Sequence, residues 1–121
     1  MRQQFGESKR GFAAWQPSRY SYNVARMSYE IVLAPEAVKD LRHLPAHLRA
    51  EVKGAIEKHL RHRPASVSKS RTKRLRGLSR PEYRLRVGDI RVFYDVTENR
   101  VEVLAIVSKS GVDEWLERAG E

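Results

Sequence analysis

The stretch YRLRVGDIRVFYDV, residues 83–96, restricts this chain to very few folds. Gly88-Asp89 separates two runs of alternating character, and glycine at the first central position supplies the positive φ of a type II′ hairpin turn. Such a turn fixes the pairing. Val87 meets Ile90, Arg86 meets Arg91, Leu85 meets Val92, Arg84 meets Phe93 and Tyr83 meets Tyr94. Because side chains alternate between faces, one face carries Tyr83, Leu85, Val87, Ile90, Val92 and Tyr94. The other carries Arg84, Arg86, Arg91 and Phe93. Like charges set directly opposite each other destabilise a sheet. Two explanations stand at this level: an anion that meets the arginines, or a solvated outer face on which Glu82 or Asp95 pairs with some of them.

The rest of the chain supplies the partners of this hairpin. Residues 28–34 form a short apolar strand. Pro35 suits a first helical turn, and Ala37, Val38, Leu41 and Leu44 recur at helical spacing. Pro45 restarts the chain into a second helix with Leu48, Val52, Ala55, Ile56, His59 and Leu60 on one stripe, ended by Pro64. A polar, basic loop covers residues 65–73, and residues 73–78 lead into the hairpin. After a turn at 97–100, residues 101–108 form a last strand. Continuing the hairpin register sets Phe93 against Leu104 and Arg91 against Ile106. A short helix at 111–119 carries Trp115 and Leu116. The order is β-α-α-β-β-β-α, an α+β domain with an antiparallel sheet on a helical hairpin. Phe93, Leu104 and Ile106 then need cover on the far face, and the Trp115 helix is the element to supply it. Tyr94 falls on the core side.

Residues 1–26 show no sustained period and read as an irregular extension, with the domain running over 27–121; Met27 looks like a natural start. At 121 residues the chain holds one domain, and without cysteine it has neither a disulfide framework nor a thiolate metal site. No apolar run reaches the ~18 residues of a membrane span, so a cytoplasmic protein is expected. The net charge of +9 is unevenly spread. Residues 61–91 hold 11 Arg/Lys against 2 Asp/Glu, whereas residues 27–60 and 92–121 together hold 8 against 12. One basic segment on an acidic body is the footprint of a polyanion or an acidic partner. Lys69, Arg71, Lys73 and Arg74 are either a solvated loop or phosphate contacts. The four histidines lack the converging ligands of a metal site and read as structural or surface residues.

The run KRLRGLSRPEYRLRVGDIRVFYDV, followed by VEVLAIVSKS, resembles the RelE/ParE superfamily of bacterial type II toxins, over about residues 27–117. MSYEIVLAPEAVKDLRHLP looks like the usual start of such proteins. The resemblance implies a metal-independent, ribosome-dependent mRNA endonuclease that needs no cofactor. In that chemistry a ribose 2′-hydroxyl attacks the adjacent phosphate and leaves a 2′,3′-cyclic phosphate. It places Arg84, Arg86 and Arg91 at the family's basic strand positions, and Arg76 at the arginine before Gly77. Arg71, Lys73, Arg74 and Arg76 become RNA contacts. Lys109 lies close to a C-terminal arginine position and joins the catalytic set. The implied partners are a cognate antitoxin in a hetero-oligomer, the ribosome and mRNA.

This sequence departs from the family in two places. RelE-like enzymes commonly carry lysine where Arg84 and Arg86 stand, and arginine, unlike lysine, in effect cannot give up its proton. They also carry a tyrosine or histidine near the C-terminus, where only Trp115 is found here. Two alternatives follow: a ParE-like toxin that inhibits DNA gyrase, and a decayed toxin that binds antitoxin without catalysis.

Overall fold

The structure, a computed structural model, describes residues 13–14, 28–75, 77 and 80–120. Its elements are β1 (Ala13–Ala14), β2 (Glu30–Leu33), α1 (Pro35–His43), α2 (Ala46–Leu60), β3 (Thr72–Arg74), β4 (Tyr83–Val87), β5 (Ile90–Val96), β6 (Arg100–Ser108) and α3 (Val112–Ala119). One 3₁₀ turn, Lys109–Gly111, joins β6 to α3. The sheet order is β1-β2-β6-β5-β4-β3. Of the region read as an irregular extension, the backbone of Ala13–Ala14 pairs with Val32 and Leu33; the remainder lies outside the described residues.

The hairpin register is the one the turn dictates, from Val87↔Ile90 to Tyr83↔Tyr94. Gly88 has φ 59° and no other residue type takes a positive φ among the described residues, so the Gly88-Asp89 loop is type II′. Tyr83, Leu85, Val87, Ile90, Val92 and Tyr94 accordingly share one core with Ile31, Leu33, Leu41, Val52, Ile56 and Leu60. The two helices cover this face. Tyr94 anchors the chain after α2 to the sheet: its buried hydroxyl donates to the Pro64 carbonyl at 2.6 Å, and burial pushes its pKa up.

Three sequence expectations are corrected. The sheet is mixed, because β2 runs parallel to β6, from Glu30↔Arg100 to Leu33↔Val103. Ile31, Val32 and Leu33 are buried in succession, as befits a strand covered on both faces. A short edge strand forms at Thr72–Arg74, across the boundary between the stretch read as loop, 65–73, and the lead-in, 73–78. The third correction is a bulge in the β5–β6 ladder. Val96↔Val101 and Tyr94↔Val103 follow the extrapolated register, but Phe93 then pairs with Ala105 and Arg91 with Val107. Leu104 is the extra residue. The bulge reverses the faces of everything after it. Ile106 joins the main core, while Ala105 sits beneath Phe93 and Trp115 in a second, smaller one. A small side chain there leaves room for two stacked rings.

That second core is built by α3. Trp115 stacks on Phe93, centroids 4.8 Å apart and planes 12° from parallel. Leu75, Leu104, Val107, Val112, Leu116 and Ala119 pack around the pair. The indole Nε1–H donates to Glu36 Oε2 at 2.9 Å, and Arg118 Nη2 donates to the same oxygen at 3.1 Å. Glu36 lies in the first turn of α1, so one carboxylate ties α3 to α1. One turn further along α1, Asp40 Oδ2 accepts the backbone N–H of Ile106 at 2.9 Å, beyond the point where β2 ends. Burial raises the pKa of Asp40, with the Ile106 N–H opposing the shift.

Two outcomes are expected. Trp115→Ala removes a stacked, buried indole and lowers unfolding stability by about 3–5 kcal/mol, whereas Glu36→Gln keeps an acceptor and costs about 1 kcal/mol or less; urea unfolding separates the two. The raised pKa of Asp40 means that its contribution to stability is fully present below 3.8 and is lost as pH rises through its folded-state value. Asp40→Asn keeps a carbonyl acceptor without the charge. Its urea midpoint therefore exceeds the wild type's at pH 7, and the gap closes towards pH 4.

Candidate functional site

On the second face of the sheet α3 covers Phe93 and Ala105, and no described helix covers the neighbouring hairpin positions. Arg84 and Arg86 on β4 and Arg91 on β5 stand there, with Arg86 and Arg91 as directly opposed partners. Lys73 joins them from β3, as the Cα partner of Arg84. Lys109 approaches from β6: Ser108 pairs with Ile90, and the Lys109 backbone N–H donates to Asp89 O at 2.7 Å. The turn tip and the start of the 3₁₀ turn are thereby locked together, with the exposed Lys109 beside the arginines' end of the hairpin.

The three arginines differ in state. Arg86 is exposed. Arg91 is 8% exposed and turns back on its own loop, where Nη1 donates to Gly88 O at 2.8 Å and to Ile90 O at 3.2 Å. Arg84 is half-buried. Its Nη2 makes one long bond, 3.4 Å, to Ser70 O, and its buried Nε has no acceptor. Burial lowers the pKa of Arg84, and the charges of Arg91 and Arg86 lower it further. A guanidinium in water would satisfy every donor. This one is held where charge is disfavoured and one donor is unused, which is a state that an anion relieves.

The solvated-face explanation required Glu82 or Asp95 to pair with these arginines. Both acids are occupied elsewhere. Asp95 is buried, accepts the Glu82 backbone N–H at 2.8 Å and pairs with Arg80 at 2.9 Å. Burial raises its pKa, and the Glu82 N–H and Arg80 oppose the rise. Glu82 accepts the Val96 N–H at 3.1 Å. These groups brace the turn before β4 against the far end of β5.

The other sequence candidates separate. Arg74 lies on the helix-covered face, its guanidinium 5.6 Å from the Tyr83 ring centroid. Arg71 acts electrostatically on His59 and Tyr94, both on that same side. Arg76 lies outside the described residues. Of the residues in β3, Lys73 stands with the arginine face. Among the described residues no histidine or tyrosine stands on that face: the histidines belong to α1, α2 and their flanks, and Tyr83 and Tyr94 stack in the main core. No described group of three His, Asp or Glu is placed to hold a metal ion. The sequence did not reveal that Arg91 braces the turn, since that depends on where its guanidinium folds back.

The arrangement can do one thing well. It holds fixed, planar, permanently charged donors around a place for an anion. For proton transfer it offers Lys109 beside the turn, in a setting otherwise made of arginines.

Residues 31–112 match the family described as the ParE toxin of the type II toxin-antitoxin system, parDE. Among solved structures the chain is similar to one titled as the crystal structure of the RelB-RelE antitoxin-toxin complex from Methanococcus jannaschii. The two share 25% identity at a TM-score of 0.54, over 69% of this chain and 95% of that one. No curated protein is similar enough in sequence to count as a match. The matched span runs from β2 to the first residue of α3 and includes the whole arginine hairpin. The fold and the family match agree, and the chain belongs to the ParE/RelE family of type II toxin–antitoxin toxins.

Proposed function

We propose that this toxin acts on RNA: it is a metal-independent endonuclease that cuts mRNA on the ribosome, in the cytoplasm, and is held silent by an antitoxin seated over the arginine face. The observation that carries the proposal is the Arg84–Arg86–Arg91 cluster, with a buried donor of Arg84 unused and no described acid paired to it. In the reaction, a ribose 2′-oxygen attacks the adjacent phosphorus and the P–O5′ bond breaks. Negative charge builds on the phosphoryl oxygens of the pentacovalent state. Arg84 and Arg86 are the donors free to meet it. Arg91 fixes the turn that carries them. Lys109, whose backbone is tied to the hairpin tip through Asp89 O, is the residue assigned to proton transfer in this reading. The antitoxin partner rests on family membership and on the similar RelB-RelE complex.

A second function has one observation in its favour. The face lacks a histidine or tyrosine among the described residues, and Trp115 is committed to Phe93. A toxin that only binds its target, as a gyrase inhibitor does, has no need of such a group.

The test is inducible expression of the full chain with mapping of new mRNA 5′ ends. New ends within translated frames are expected. Arg84→Ala and Arg86→Ala each reduce their yield by about 10²–10³-fold, the scale of losing one transition-state donor. Growth arrest with intact mRNA and a DNA-damage response would select gyrase inhibition, and normal growth would leave a docking face alone. A companion outcome concerns stability. Because the charge of Arg84 is disfavoured where it sits, Arg84→Met raises the Tm of the free toxin. Added phosphate raises the Tm of the wild type more than that of the variant.

A further inference from the structure

The two ends of the sheet are guarded in different ways. At the β3 end, Arg71 O and Leu75 N are bonded to β4, so Thr72 and Arg74 turn their backbone groups outward. Ser68 takes both of those on Thr72: its N–H donates to Thr72 O at 2.9 Å, and its Oγ accepts Thr72 N–H at 3.1 Å. The strand is three residues long and carries Lys73 and Arg74. Short length and cations keep an edge from recruiting another strand.

Strand β2 has neither device. Its one charge, Glu30, comes first, and Ile31, Val32 and Leu33 follow as a buried apolar run. The N–H groups of Glu30 and Ala34 donate to Asn99 O and Val103 O on the β6 side, at 2.9 and 2.8 Å. Alternation then turns the backbone of Tyr29, Ile31 and Leu33 to the opposite side. Tyr29 is satisfied there by Arg61, whose carbonyl accepts its N–H at 2.7 Å and whose Nη1 donates to its carbonyl at 2.8 Å. Leu33 is met by β1. Ala13 is its Cα partner, so the two exchange backbone bonds, and Ala14, opposite Val32, turns its own N–H away from β2. On this side the span that matches the toxin family stops at Ile31, and β1 lies beyond it.

What the added strand excludes follows from the edge itself. Two copies of β2 set antiparallel about a twofold axis at Val32 are self-complementary. Ile31 of each copy falls opposite Leu33 of the other, and these are the residues whose backbone faces outward. Glu30 falls opposite Ala34, so no like charges meet. We propose that Ala13–Ala14 is a built-in cap: it occupies the β2 edge and thereby keeps a second copy of this chain from pairing there. The cap does not depend on what the arginine face does.

The test uses the full chain. Ala13→Pro removes the N–H that Leu33 O accepts, whereas Ala14→Pro removes one that points away from β2, where an outer strand tolerates proline. Amide exchange of Leu33 is read by NMR at concentrations where each protein is monomeric, and association by sedimentation velocity at higher ones. In the wild type Leu33 is protected and the chain stays monomeric. Ala13→Pro speeds Leu33 exchange about tenfold and yields a dimer, and Ala14→Pro does neither. Because the chain has no cysteine, Val32→Cys reports the geometry of that dimer. Residues facing each other on the axis have Cα atoms about 4.5 Å apart, within disulfide range. Oxidation therefore links the copies in the Ala13→Pro background and not in the Ala14→Pro background. Thermal unfolding shows that each variant is folded, and the wild-type exchange needs no variant at all. Four results would overturn the proposal: a wild-type Leu33 amide that exchanges as fast as an unpaired one, an equal effect of the two prolines, an Ala13→Pro chain that opens the edge and stays monomeric, or a dimer that Val32→Cys does not link. The third would leave the edge to a strand of a different protein.

Discussion

Everything functional in this protein depends on the parity of strand β5. It is buried along nearly its whole length, on both faces. Even-numbered Ile90, Val92 and Tyr94 point to the two helices, and odd-numbered Arg91 and Phe93 point away. A slip of one residue would drive Arg91 into the main core and Tyr94 out of it. Gly88 prevents that slip, because the type II′ turn admits one pairing. The same turn brings Lys109 to the hairpin tip through the Asp89 carbonyl. The arginine face and the core are thus two consequences of one register.

This explains which parts of the fold could be read from the chain. The β4–β5 pairing was legible because charge and apolarity alternate across a glycine that marks the turn. The two helices were legible from Pro35, Pro45 and the spacing of Leu41, Val52, Ile56 and Leu60. The bulge at Leu104 was not. In VEVLAIV only Glu102 marks a face, and after it every residue is apolar and can sit on either side. The decision is made in three dimensions, where Ala105 fits below the Phe93–Trp115 stack. Nor could the parallel placement of β2 be read, since three apolar residues in a row announce burial on both faces without naming the neighbour. The division of Lys73 and Arg74 between faces was hidden for a related reason. Alternation could have sorted these two, had the basic run been recognised as a strand.

Sequence reasoning placed the arginines together but could not rank them. Ranking needs the atoms. Arg91 spends Nη1 on the turn carbonyls, Arg86 is solvated, and Arg84 keeps a buried donor without an acceptor. The acids that might have quenched the cluster brace the other end of the hairpin instead. Asp95 takes Arg80 and the Glu82 N–H. The consequence is a field of one sign over a part of the sheet that no described helix covers, beside the Phe93–Trp115 stack.

Such a field carries an energetic cost in the free protein, and the cost has a direction. Arg84 is less comfortable charged in the fold than in water, because of burial first and its two arginine neighbours second. Any anion that binds the folded face and not the unfolded chain returns part of that free energy, by mass action, as added stability. On the function proposed above, substrate phosphate and an acidic segment of a protein partner would draw on the same source. The two must therefore compete for it wherever they meet the same guanidinium groups. On that proposal folding and silencing are linked: a partner that covered the arginines would also stabilise the domain that carries them.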